Sequence, residues 1–301
     1  DNKVQLWDVL STTGSALREF SQHNEAVNGV AYFPDGREFI SISEDTSILM
    51  WDLTENTVLR SFNDHDAPVF AIAISGDGEM MFTGADDGVA RLWDLKNSEQ
   101  TVVFSGHQSS DVRLGTVVGV YGKYDLTVLS GSYEGTLRLW SRATGLTIQE
   151  FRGHTDLVYD VALSPDNTTA LSASADDKAI LWDIETGMPI FELIGHEIDV
   201  LSVAYLPNNQ QVVTGDENGA IILWDISGTE ATVIRQFGPK VGKDDVGHTA
   251  QIYDIAISPD GTQILSASGD QTLLLWDIAT GAVVGEYKGH GSSVRSVAFN
   301  S

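Results

Sequence analysis

Residues 248–277 read HTAQIYDIAISPDGTQILSASGDQTLLLWD. Ile252–Ile257 alternates with the period of a strand, and Ser258-Pro259-Asp260-Gly261 after it has turn chemistry. Ile264–Ser268 is a second short run, closed by Gly269-Asp270-Gln271, and Leu273–Ile278 is a third. Beyond Ala279-Thr280-Gly281 comes a fourth, Val283–Tyr287. Four strands of five or six residues with turns between them predict an antiparallel meander, and helical periodicity over ten residues appears nowhere in the chain. A sheet this small cannot bury both faces alone.

The rest of the chain repeats this stretch. Trp occurs at 7, 51, 93, 140, 182, 224 and 276, and His at 23, 65, 107, 154, 196, 248 and 290. From His to the next Trp is 28 residues, except 33 after His107, so all seven Trp and all seven His belong to one repeat of about 42 residues. Units of this kind arranged radially bury each other and leave only short, protected edges. The expected fold is all-β: a seven-bladed β-propeller of four-stranded antiparallel blades, one domain over 1–301, closed by N- and C-terminal strands that share a blade.

Trp-Asp stands at 7-8, 51-52, 93-94, 182-183, 224-225 and 276-277, with Trp140-Ser141 as a variant. Gly-His stands at 106-107, 153-154, 195-196, 247-248 and 289-290, with Gln22-His23 and Asp64-His65 as variants. Six residues before the Trp comes Asp1, Asp45, Asp87, Glu134, Asp176, Asn218 or Asp270, and ten before it Ser41, Thr83, Ser130, Ser172, Thr214 or Ser266. In these features the whole chain resembles the Trp-Asp (WD) repeat β-propellers. The resemblance implies a structural tetrad in each blade: the turn acid bonds the His, the His reaches the hydroxyl, and the hydroxyl reaches the Trp51, Trp93, Trp140, Trp182, Trp224 or Trp276 indole N–H. His290 is expected to join Asp1 and Trp7 across the termini. Asn218 should lose the charge-assisted part of its bond and weaken its blade.

A Ser, a His and an Asp in every repeat could be mistaken for a hydrolase triad. A catalytic group needs one site, whereas six copies at fixed spacing satisfy buried polar groups blade by blade. Seven His a blade's width apart cannot converge on one ion, so no metal and no other cofactor is expected. Gly238-Pro-Lys-Val-Gly-Lys243 is one residue short of a phosphate loop and has Asp244 where Ser or Thr is needed. Without Cys there is no disulfide, thiolate site or Cys nucleophile. Asn167-Thr168-Thr169 fits the glycosylation pattern by chance. No apolar run is long enough to cross a bilayer as a helix.

With 43 acidic and 17 basic residues the chain has a net charge of -26, which argues against nucleic acid as a partner. Sixteen of the acids belong to the repeat itself, after Trp or in turns, and the remainder still exceeds the bases by ten. That surplus favours basic partners.

The resemblance places the His and turn-acid loops on one face of the disc, the top. Strand alternation then predicts that the third and fifth residues after the His, and the residue before the turn acid, face outwards there. The first set is Ala26, Asn28, Pro68, Phe70, Leu157, Tyr159, Asp199, Leu201, Gln251, Tyr253, Ser293 and Arg295; the second is Glu44, Asp86, Tyr133, Ala175, Glu217 and Gly269. Aromatic Phe70, Tyr133, Tyr159 and Tyr253 interleave with acidic Glu44, Asp86, Asp199 and Glu217, a mixture suited to a Lys- or Arg-bearing segment. Two longer loops, Gln108–Gly115 and Gly238–Val246, lie in blades almost opposite each other.

Val294–Phe299 supplies a first strand for the closing blade and the N-terminus a third and a fourth, so its second strand is missing and an excerpt of a longer polypeptide is expected. The expected function is a non-catalytic scaffold for peptides or protein partners, basic segments among them, with a cytoplasmic location. The alternative left open by the resemblance to prokaryotic WD-repeat proteins is a sensory or regulatory domain of a larger kinase or NTPase.

Overall fold

The computed structural model describes residues 1–9, 15–97, 99–104, 115–120, 127–238 and 247–300. They form a β-propeller of six four-stranded antiparallel sheets, at 27–62, 69–104, 115–152, 158–194, 200–237 and 252–288, and one two-stranded sheet, with no helix among the described residues. Every four-stranded sheet is a meander in chain order. In the stretch quoted above, Ile252–Ile257 pairs with Gln263–Ser268, that strand with Thr272–Asp277, and that one with Val283–Lys288. The first strands of successive sheets pack side by side around a centre, from Val27–Tyr32 through Val69–Ile74, Gly115–Val120, Val158–Leu163 and Val200–Tyr205 to Ile252–Ile257.

The core lies between sheets. Leu171, Ala173, Leu181 and Leu193 of one sheet pack with Val200, Val212, Ile222 and Trp224 of the next. Trp51, Trp93, Trp140, Trp182, Trp224 and Trp276 are each at most 2% exposed, and burying such a ring contributes about 3 kcal/mol. The Gly of the Gly-His pairs has a steric cause here: a Cβ on Gly153 would sit 2.9 Å from Trp182 Cη2, and one on Gly195 2.8 Å from Trp224 Cη2.

The turn holding the acid is tight. The residue five before the Trp has positive φ in each sheet, at Thr46 (71°), Gly88 (79°), Gly135 (74°), Asp177 (66°), Gly219 (84°) and Gln271 (72°), and Asn2 (63°) repeats the geometry at the N-terminus. Carboxylate caps hold several of these turns: Asp45 Oδ1 accepts from Ser47 N at 3.0 Å, Asp87 Oδ1 from Val89 N at 3.1 Å and Asp270 Oδ1 from Thr272 N at 3.0 Å.

The seventh set of elements differs. Among the described residues Val4–Leu6 pairs with Arg18–Phe20 alone. Val294–Phe299, expected as a first strand, has no ladder pairing among the described residues. It is fastened at its flanks instead, by Val294 N to Ser268 O at 3.0 Å and by Val30 N to Ser296 Oγ at 3.3 Å, which joins this segment to both neighbouring sheets.

Candidate functional site

Two sets of polar side chains could carry chemistry, and they are built differently. The first set is the repeated one. His23, His65, His154, His196 and His248 place Nε2 at 2.7, 2.8, 2.7, 2.6 and 2.8 Å from Ser41, Thr83, Ser172, Thr214 and Ser266. The same hydroxyls accept the indole N–H of Trp51, Trp93, Trp182, Trp224 and Trp276 at 2.8–2.9 Å, and Ser130 accepts that of Trp140 at 2.8 Å. On the other ring nitrogen, Nδ1 of His23, His65, His154 and His248 lies 3.3, 2.9, 2.9 and 2.9 Å from Asp45, Asp87, Asp176 and Asp270. His290 makes the corresponding bond to Asp1 at 3.0 Å.

Protonation states follow from burial. Desolvation holds the imidazoles of His23, His65 and His248 below their usual range and pushes His290 down to about 4. Burial acts in the opposite sense on Asp45, Asp87, Asp176 and Asp270, yet their hydrogen bonds outweigh it and hold all four carboxyls below the usual value. At His23, His65 and His248 a neutral ring with its proton on Nδ1 therefore donates to a carboxylate and accepts the hydroxyl proton at Nε2. The hydroxyl oxygen is then occupied by the indole N–H, and no atom of the set is turned to solvent as a nucleophile.

At the fifth repeat the structure differs from the sequence reading. His196 Nδ1 bonds Asp216 at 2.8 Å, not Asn218. Asp216, two residues earlier, also accepts from Asn218 N at 2.9 Å and Ala220 N at 2.8 Å, so one buried carboxylate both holds the His and caps the turn. That sheet keeps its charge-assisted bond, contrary to the weakening expected from Asn218. Glu134 accepts from Thr136 Oγ1 at 2.7 Å and lies 3.6 Å from Arg138. His107 lies outside the described residues, as do residues 108–114 and 239–246 of the two longer loops.

The second set surrounds the centre. A cavity of about 590 Å³ is lined by Asn28, Phe70, Tyr159, Leu201, Tyr253 and Arg295, each five residues after its His, together with Glu44 and Tyr133. The third residues after the His do not line it. The reason is a β-bulge in the first strand, between Val27 and Gly29, Val69 and Ala71, Val158 and Asp160, Val200 and Ser202, and Ile252 and Asp254. The residue left unpaired by the bulge is the fifth one after the His, and the bulge breaks the alternation on which the sequence reading relied.

Polar contacts fix much of this lining. Tyr133 and Tyr159 meet edge to face at 6.4 Å. Tyr159 Oη donates to Asp199 at 3.1 Å, and burial together with that carboxylate raises its pKa. Arg295 is held by Asn28 and Glu44, so this cation is paired inside the lining. Of the expected acids only Glu44 lines the cavity; Asp86, Asp199 and Glu217 do not.

Two carboxylates absent from the sequence reading also line the cavity. Asp160 Oδ2 accepts from Val203 N of the next sheet at 2.9 Å. Asp254 accepts from Ser296 Oγ at 2.8 Å and Val297 N at 2.9 Å, and burial holds its carboxyl above the usual range. Each ties one inner strand to its neighbour. Among the described residues no three His, Asp or Glu are grouped as a metal site would need.

The model of the family described as WD domain, G-beta repeat matches residues 14–52, 56–94, 98–141, 145–183, 187–225 and 242–277, most of the chain. The chain belongs to the WD-repeat family. Part of the chain also matches named proteins. One match is 47% identical over 60 residues to Denticleless protein homolog B of Xenopus laevis, covering 20% of this chain and 8% of that protein. Another is 36% identical over 69 residues to the Denticleless protein homolog of Homo sapiens, covering 23% and 10%. A third is 41% identical over 59 residues to WD repeat-containing protein 37 of Xenopus tropicalis, covering 19% and 12%. The matched stretch is thus about a tenth of each relative's length.

The sixth residue after the His is Gly29, Ala71, Asp160, Ser202, Asp254 or Ser296. A carboxylate at a position that is otherwise small is the signal by which the two latches could have been found.

Proposed function

We propose that the seven sets of WD elements form a seven-position ring that works as a non-catalytic protein-interaction scaffold, docking a basic segment of a protein partner at the central cavity. The observation that carries this reading is the ring of Phe70, Tyr133, Tyr159 and Tyr253 around one cavity of about 590 Å³, in a chain of net charge -26. Large, half-buried aromatic rings on rigid strands supply contact area at low entropic cost, and such side chains dominate interface energies. Their faces attract Lys and Arg. Asp86, Asp199 and Glu217 stand outside the lining, where they can steer a cation toward it without being neutralised by Arg295.

Fluorescence polarisation of labelled peptides of graded Lys and Arg content tests this, with wild type against a Phe70→Ala, Tyr159→Ala, Tyr253→Ala variant. Affinity should rise with basic content, fall with salt, and drop at least about tenfold in the variant. Undiminished binding by the variant would reject the cavity as the site.

A further inference from the structure

Two residues further along each first strand, about 7 Å from the ring of Phe70, Tyr159 and Tyr253, the central cavity has a second tier. Val30, Ile72, Val161, Val203 and Ile255 line it, each opposite the tetrad hydroxyl of its own sheet. The ladder fixes where the backbone points here. Ser75 N donates to Met80 O at 2.9 Å and Leu206 N to Gln211 O at 3.0 Å. Hydrogen-bonded and non-hydrogen-bonded positions alternate in an antiparallel pair. Three residues earlier, Ile72 and Val203 therefore make no ladder bond to Thr83 and Thr214, and their N–H groups point out of their own sheet toward the preceding one.

What meets these amides differs around the ring. Asp160 accepts from Val161 N at 2.8 Å and from Val203 N at 2.9 Å, and Ser296 Oγ accepts from Val30 N at 3.3 Å. Asp254 accepts from Ile255 N and, at 2.9 Å, from Val297 N. Each of these caps is a side chain at the sixth position after a His. For Ile72 that position is Gly29 on the preceding sheet, which has no side chain, and Ala71 on its own strand, which has no polar atom. Gly29 lies directly against it, since a Cβ there would stand 3.1 Å from Ile72 Cγ2. The seam between these two sheets is tied one step above, where Asn28 Nδ2 donates to Val69 O at 2.9 Å. Below that tie the cavity wall is Gly29, Val30, Ala71 and Ile72, apolar except for its backbone.

We propose that the Ile72 N–H is a specificity donor in the wall of the central cavity, and that it takes the side-chain carbonyl of a Gln in the docked segment. This rests on the docking reading above and names a residue type that the segment carries besides its bases. Lys and Arg have no acceptor to offer, so the residues that draw the segment in cannot serve this donor. A carboxylate is disfavoured, because Glu44, Asp160 and Asp254 line the same cavity. A neutral carbonyl remains, and Gln is one methylene longer than Asn, which suits a donor set this far beyond the aromatic ring. An apolar side chain of the same length would cover the N–H and leave it without an acceptor.

The test leaves the protein unaltered. Native-state hydrogen exchange followed by NMR first compares two amides of the free chain. Ile72 should exchange at least about tenfold faster than Val203, whose N–H is held by Asp160. Equal protection would mean that the donor is already satisfied, and would overturn the proposal. Labelled Lys-, Gly- and Ser-containing peptides are then titrated in, with one Gln, or Met in its place, walked along the peptide. At one position the Gln peptide should bind about tenfold more tightly than its Met counterpart and slow exchange at Ile72. Basic peptides that bind with no preference for Gln at any position, or that leave the Ile72 amide unmoved, would overturn this proposal while the docking reading stands. Failure of every basic peptide to bind would overturn both.

Discussion

Ser172→Ala removes one oxygen from the interior of the sheet at 158–194. That Oγ is fully buried, lies 2.7 Å from His154 Nε2 and accepts the Trp182 indole N–H at 2.8 Å. The substitution leaves a donor and an acceptor without partners in a place where water has no room. Each buried group left unsatisfied costs about 1–3 kcal/mol, so a loss of roughly 2–4 kcal/mol is expected. Ser172→Thr should cost far less, because Thr83 and Thr214 fill the same role in their own sheets. The assay is urea unfolding followed by far-UV circular dichroism, with the m-value checked for constancy because repeat arrays can lose two-state behaviour. A double-mutant cycle with Trp182→Phe should return a coupling of about 1 kcal/mol for the indole bond. A loss below about 0.5 kcal/mol for Ser172→Ala, with m unchanged, would refute the view that these side chains serve the fold.

Further outcomes follow from the same geometry. Asp216→Ala should cost about 2 kcal/mol while Asn218→Ala stays within about 0.5 kcal/mol, because only the former strips His196 of its partner; thermal unfolding of the pair decides this. Asp254→Ala should speed hydrogen exchange at the amide of Val297, which loses its acceptor, and leave the amide of Val213 unchanged. Stability should fall as pH drops from about 6.5 toward 4. His290 has a folded pKa of about 4, so the unfolded chain binds the extra proton across that window, and the lowered carboxyls of Asp45, Asp87, Asp176 and Asp270 act in the same direction further down. Melting temperatures at 0.5 M salt, which screens the net charge, read this; a flat profile, or a His290 that titrates by NMR near 6.5, would contradict it.

The repeat was legible because its cause is local. Strand period, turn residues and the Gly under each indole act within one sheet, so a fixed spacing of His, hydroxyl, acid and Trp carries them. The contents of the centre were legible only in part. Alternation pointed to Phe70, Tyr159 and Tyr253, but it also pointed to Pro68, Leu157 and Gln251, because a bulge that resets the period leaves no local signature. Arg295 read as a contact residue, yet its partners Asn28 and Glu44 belong to the other end of the chain, 267 and 251 residues away. Asp216 took the place of Asn218 because a carboxylate two residues earlier reaches the same ring nitrogen from the strand's end. Distances of that kind are set by the fold, and no spacing rule contains them.

Photo-crosslinking tests the central reading most directly. Benzoylphenylalanine is placed at Tyr253 in the cavity and, separately, at Val284, which is 55% exposed on an outermost strand. The scaffold reading predicts that a Lys- and Arg-rich partner segment is captured from position 253 and not from 284, and that 0.5 M salt diminishes the capture. Capture from 284 alone, or capture at 253 that ignores the charge of the segment, would contradict it.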